Sequence, residues 1–133
     1  MSTFYCLIII NIDIKIEKYE YKIFNHSKNK IEEKSISDYL KFCQESECGE
    51  IVLTSIENDG MMDGYNSEIL NKFRNLISRP LIMNGGCANP EDMRNILSNG
   101  ADACMASSMF YFTKYSYKEV KEYLSNKKIK VRA

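Results

Sequence analysis

The sequence predicts an α/β fold: half of a (β/α)8 TIM barrel, with four parallel βα units and a short β-hairpin inserted after the first strand. Three observations carry that expectation. Ile51 to Gly60 and Leu81 to Gly86 are apolar runs that stop abruptly in small and polar residues. A helix-length amphipathic stretch separates them, so the order reads strand, polar loop, helix, strand, Gly-rich loop. The chain has 133 residues, room for four such units where a complete eight-unit barrel takes about 250.

Phe4 to Ile12 is continuously apolar and β-branched, as in a strand buried on both faces of a parallel sheet. From Lys15 to Phe24 apolar and polar residues alternate, and Asn25 to Lys30 reads as a turn, which together suggest the hairpin. Ser35 or Ser37 can cap a helix over 37–46 with Tyr39, Leu40, Phe42 and Cys43 on its inner face. Ile51 to Ser55 is the second core strand. Asn66 or Ser67 opens a helix whose Ile69, Leu70, Phe73, Leu76 and Ile77 recur at helical spacing. Pro80 leads into a third strand, Leu81 to Met83. Asn89-Pro90-Glu91-Asp92 is a helix start with a cap, a proline at the first position and acids in the first turn. That helix stops near Asn99-Gly100. Ala101 to Ala106 forms the fourth strand, a short helical turn spans Met109 to Phe112, and a last helix runs from Ser116 to Asn126 with Val120, Tyr123 and Leu124 inward.

Composition narrows the function classes. Eighteen basic and eighteen acidic side chains leave a formal net charge of zero, so no global electrostatic case exists for nucleic acid. The longest apolar run, Phe4 to Ile10, is far short of the ~20 residues that span a bilayer. It leads into Asn11-Ile12-Asp13 instead of a small-residue cleavage site, and reads as a strand of a cytoplasmic protein. The five cysteines form no CxxC pair and His26 is the sole histidine; reduced thiols are expected, with no metal and no cofactor. Residues 1–133 are read as a single domain.

Each strand ends in chemically useful residues: Asp13 and Lys15 after the first, Thr54, Ser55 and Asp59 after the second, Asn84, Gly85 and Gly86 after the third, Ser107 and Ser108 after the fourth. In a parallel barrel all four ends emerge at one rim. Gly85-Gly86 alone is a tight strand-to-helix turn. Beside Ser107-Ser108 on the neighbouring strand it reads as an anion cradle, where backbone N–H groups approach a phosphate without Cβ interference. Asp13 and Asp59 are candidate general acid and base; the alternatives are a residue capping backbone amides for Asp13 and a turn aspartate for Asp59. Glu50 stands at the opposite, amino end of the second strand, as an exposed acid or as part of a charged ring at the barrel's bottom.

These motifs, in this order, resemble the C-terminal half of the cyclase subunit of imidazole glycerol phosphate synthase, a TIM barrel of histidine biosynthesis. The matching stretches include IIINIDIK (8–15), GEIVLTSIENDGMMDGY (49–65), IMNGG (82–86), NPED (89–92) and GADACMASSMFYF (100–112). The resemblance implies a glutaminase partner that makes ammonia. The ammonia passes through the barrel and cleaves and cyclises a bisphosphorylated formimino-ribulosyl aminoimidazole nucleotide. It further implies catalytic roles for Asp13 and Asp59, substrate contact for Thr54, a phosphate site at Gly85, Gly86, Ser107 and Ser108, and a place for Glu50 in the charged gate at the ammonia entrance. Met61 stands where the family usually has threonine, and Asn84 where serine is common. The family's first-strand aspartate and second phosphate site belong to the half that this sequence lacks. A complementary half-barrel or self-association is therefore expected, since the outer strands would otherwise expose unpaired backbone and apolar surface. A divergent branch of the same family implies the other reading, an accessory ammonia-channel module for a surface-sugar amidotransferase.

Overall fold

A computed structural model describes residues 8–132. The first apolar run becomes strand β1 (Ile9–Glu17); Phe4 to Leu7, Cys6 among them, lie outside the described residues. The strand does not stop at Ile12, because the alternation continues past it. Ile12 and Ile14 are buried, while Asn11, Asp13 and Lys15 take the opposite face of the pleat. Asp13 therefore sits in the middle of a strand, not after one, which corrects its expected position. Lys18 and Tyr19 both adopt left-handed backbone, φ 50° and 65°, as a two-residue hairpin turn requires. The chain returns as β2 (Glu20–Asn25) and turns again into β3 (Lys30–Ile31). This is the inserted hairpin.

Helix α1 (Ile36–Glu45) is capped by Ser35, whose side chain accepts from the Asp38 amide. Ile36, Leu40 and Cys43 are buried, but Phe42 is 51% exposed. Two residues along a helix rotate by about 200°, so Leu40 and Phe42 cannot share an inner face. Phe42 instead stacks on Tyr39 with Lys34 over its ring. Strand β4 (Glu50–Ser55) follows, and then α2 (Ser67–Phe73), capped by Asn66. A 3₁₀ turn over Arg74–Leu76 ends that helix. The tighter winding turns Leu76 outward, against expectation, while Ile77 stays buried. Beyond it come β5 (Leu81–Asn84) and α3 (Pro90–Ser98), the latter with a full Asn89/Asp92 capping box. Strand β6 is only Ala103–Met105, shorter than the composition suggested. The chain closes with α4 (Ser108–Phe112) and α5 (Tyr117–Asn126).

One six-stranded sheet results, ordered β3-β2-β1-β4-β5-β6. From β1 to β6 all pairings are parallel; the hairpin pairs are antiparallel. Helix-facing residues of the sheet, among them Ile12, Ile14, Leu53, Leu81 and Met83, form one core with α1 and α2. Cys87, Met93, Met109, Val120 and Leu124 form a second beneath α3 and α5. Four parallel βα units with helices on one face are the arrangement of half a barrel, and the opposite face is the one a closed barrel turns inward.

The geometry of α1 gives a contrast within one helix. Leu40→Ala removes a fully buried side chain and should cost ~2–5 kcal/mol. Phe42→Ala, losing mainly a ring–ammonium contact, should cost about 1 kcal/mol or less. Urea denaturation of both variants measures this; similar losses would mean that α1 is rotated.

Candidate functional site

Parallel register fixes the site. Asp13 pairs with Thr54, Thr54 with Asn84, and Asn84 with Met105. These four residues form one row across the sheet, at or next to the carboxyl ends of β4, β5 and β6 and at the middle of the longer β1, all on the face away from the core. The row below contains Asn11, Val52, Ile82 and Ala103.

The polar members of the two rows are joined. Asn84 Nδ2 donates to Thr54 Oγ1 at 3.1 Å, and Thr54 Oγ1 donates to Asn11 Oδ1 at 2.7 Å. Asn11 Nδ2 then donates to Asp13 Oδ1 at 2.9 Å. His26, from the turn between β2 and β3, places Nε2 3.1 Å from the other oxygen, Asp13 Oδ2. Every hydrogen bond in this line points toward Asp13, so each donor polarises the next and the carboxylate is the terminal acceptor. Thr54 is 4% exposed, and its hydroxyl is fully committed to this line. Asp13, His26 and Phe24 also line a cavity of about 390 Å³ between β1, the hairpin and Tyr39 of α1.

The second cluster gathers around the β5 end. Asp59, Asn84, Gly85, Gly86, Ser107 and Ser108 line one narrow cleft. Its open volume is only about 10 Å³, room for roughly one water. The loop after β4 builds one wall. Ser55 Oγ donates to Asn58 Oδ1 at 2.6 Å, Asn58 Nδ2 donates to Asp63, and the Asp59 amide donates to the Ser55 carbonyl at 3.0 Å. The glycines let this wall close. A Cβ on Gly86 would lie 2.0 Å from the Gly64 carbonyl oxygen, and one on Gly85 2.7 Å from that of Ser55. Gly64 N–H in turn donates to the Gly86 carbonyl at 2.7 Å. Close loop packing, with φ near +100° at both positions, is thus sufficient reason for the Gly-Gly pair.

The expected site residues divide three ways. Asp59 and the Gly/Ser loops come together. Thr54 is tied to Asp13 through Asn11. Asp13 and Asp59 line different cavities, on either side of the Thr54–Asn84 row. Glu50 begins β4 opposite Ile9, on the same face as Thr54 and about 13 Å along the strand from it. Asn11 and His26 escaped the sequence reading. The signal for Asn11 was its spacing of two from Asp13 inside an apolar strand; His26 carried none, since its partner is reached only through the hairpin.

Neighbouring thiols are structural. Burial pushes the Cys104 thiol up to about 11 and the Cys87 thiol upward as well. Burial likewise raises Tyr65, whose hydroxyl donates to the Met105 carbonyl at 2.7 Å. These groups stay protonated at neutral pH and hold the β6 end in place. Among the described residues, no group of three or more His, Cys, Asp or Glu is gathered as for a metal ion, and no helix is long and apolar enough to cross a membrane.

Comparison with known proteins bears on these residues. The profile of the histidine biosynthesis protein family matches residues 2–116. Imidazole glycerol phosphate synthase subunit HisF of Dehalococcoides mccartyi is 36% identical over 126 residues, covering 94% of this chain and 50% of the relative. The subunit of the same name from Chlorobaculum parvum is 37% identical over the same shares, and that from Natranaerobius thermophilus 36%. The chain spans about half the length of the curated relatives it matches.

The close approach at Gly86 sets a test. Gly86→Ala should destabilise the fold by about 2 kcal/mol or more, since both φ and the Gly64 oxygen oppose a Cβ. Gly60→Ala, whose Cβ would meet nothing within 4 Å, should cost only left-handed strain of ~1–2 kcal/mol. Thermal denaturation of the pair measures the difference, and an equally mild Gly86→Ala would place the two loops farther apart.

Proposed function

The chain belongs to the histidine biosynthesis protein family, and we propose that it forms the C-terminal half of an imidazole glycerol phosphate synthase cyclase subunit. The observation that carries this reading is the convergence of a strand-borne carboxylate and a glycine/serine cleft on one rim of a parallel half-barrel. In this reading residues 1–133 make one cytoplasmic half-barrel domain that works with a glutaminase subunit supplying ammonia. A complementary half-barrel completes the ring. The free edges support that partner. The β1–β2 pairing begins only at Ile14, β6 is the last strand of the sheet, and Ile8, Ile9, Met105 and Phe112 are exposed.

The chemistry divides along the rim. Asp13 accepts a hydrogen bond from Asn11 on one oxygen and has the His26 imidazole against the other; in this reading it is the general base of the cyclisation. Asp59, exposed on its loop, is the second acid/base group. The cleft wall at Gly85, Gly86, Ser107 and Ser108 takes a substrate phosphate at its mouth, with backbone N–H groups as donors. Thr54 is a positioning residue between the two halves of the rim. Glu50, at the amino end of β4, belongs to the charged gate through which ammonia enters.

Two measurements test this. Joined with the other half of the Dehalococcoides mccartyi relative, the chain should show ammonia-dependent turnover of the formimino-ribulosyl nucleotide. Asp13→Asn should lower it ~10²–10⁴-fold. An assembled, folded barrel without turnover would overturn the reading in favour of an accessory module; near-normal turnover in Asp13→Asn would remove Asp13 from the mechanism. Separately, millimolar inorganic phosphate should shift the Gly86 and Ser108 amide resonances, and unshifted resonances would remove the phosphate assignment.

A further inference from the structure

The family resemblance gives no task to His26, yet the structure sets it against the carboxylate on which the chemistry depends. Asp13 Oδ1 is held by Asn11 at 2.9 Å from one side, and Oδ2 by His26 Nε2 at 3.1 Å from the other. With Asn11 donating to one oxygen and the imidazole against the other, the carboxyl plane is braced from both sides. With either contact gone, the group can turn about its terminal torsion, which is broad for an aspartate.

The imidazole is itself braced. Its ring stands edge-on to Phe24, with centroids 4.8 Å apart and planes at 82°, a favoured aromatic geometry. Lys15 Nζ lies 5.1 Å from the centroid of the same Phe24 ring. Phe24 belongs to β2 and pairs with Ile31 of β3, so the hairpin that departs from the plain βα pattern is what delivers the histidine. The His26 side chain is 64% exposed against 21% for Asp13, and the line that starts at Asn84 and the buried Thr54 thus ends at solvent.

We propose that His26 is a positioning residue for Asp13, fixing the carboxylate for proton transfer, and that the β2–β3 hairpin serves the site by carrying it. The proposal rests on the reading of Asp13 as an acid/base group. A hairpin that only closed the fold would have no need of an imidazole at this oxygen.

In the completed barrel, His26→Ala should lower kcat about tenfold, short of the ~10²-fold that a full ångström of misplacement costs, and leave KM nearly unchanged. His26→Gln, which keeps an N–H donor, should recover most of the rate, and added imidazole should partly rescue His26→Ala. Asp13→Asn should lose no further activity when His26→Ala is added, because the two act as one unit. Unchanged kcat in His26→Ala, or a loss that neither glutamine nor imidazole restores, would overturn the proposal. Should the assembled wild-type barrel not turn over, so that the functional reading itself fails, the pair is read in this chain alone. A His26 Nε2–H proton resonance slowed in exchange with water, and lost in Asp13→Asn, supports the positioning role; its absence from both proteins overturns it.

Discussion

Parallel pairing between β1 and β4 is the constraint on which the site depends. Side chains in a strand alternate between faces, so a slip of one residue would send Asp13 into the core and Ile12 and Ile14 to the rim. Burial decides the register. Ile12, Ile14, Leu53 and Leu81 are at most 1% exposed, and each buried aliphatic side chain of this kind contributes ~1.5–3 kcal/mol. Weak polar contacts across Asn11, Thr54 and Asn84, at about 1 kcal/mol each, could not set that register against the core. They follow from it. Once the apolar face is fixed, Asp13, Thr54 and Asn84 have no other place than one row on the far face.

The same register separates the rim into two parts. To one side of Thr54, hydrogen bonds run to Asp13, whose other oxygen faces the exposed His26. To the other, the loop after β4 folds down on Gly85 and Gly86 and leaves a cleft bordered by Ser107 and Ser108. The glycines have one physical duty that the structure makes plain, since Gly86 touches the Gly64 carbonyl where no Cβ fits. That duty is compatible with an anion at the mouth of the cleft: a backbone stripped of side chains serves close packing and close ligand approach alike.

Much of this was legible in the sequence, for reasons that differ by element. Helix starts at Ser35, Asn66, Asn89 and Ser116 were readable because caps are local chemistry. The apolar cores of β4 and β5 were readable because continuous runs flanked by polar loops mark buried parallel strands. The resemblance to half of the cyclase subunit agrees with the family profile and with relatives of which the chain covers 50%. Phe42 and Leu76 were not legible as outward residues, because an apolar residue two positions from a buried one still looks amphipathic in sequence, and the 3₁₀ turn shifts the phase at Leu76. Asp13 reads as strand-terminal in sequence because the run of isoleucines hides the onset of alternation at Asn11. His26 was invisible, since only the fold of the hairpin brings it to Asp13.

The most direct test is the register itself, read from inter-strand nuclear Overhauser contacts in this chain. Backbone contacts placing Asp13 opposite Thr54 and Thr54 opposite Asn84 are what the account predicts. A register displaced by one residue, with Asp13 opposite Leu53 or Ser55, would put the carboxylate on the helix-covered face and contradict it.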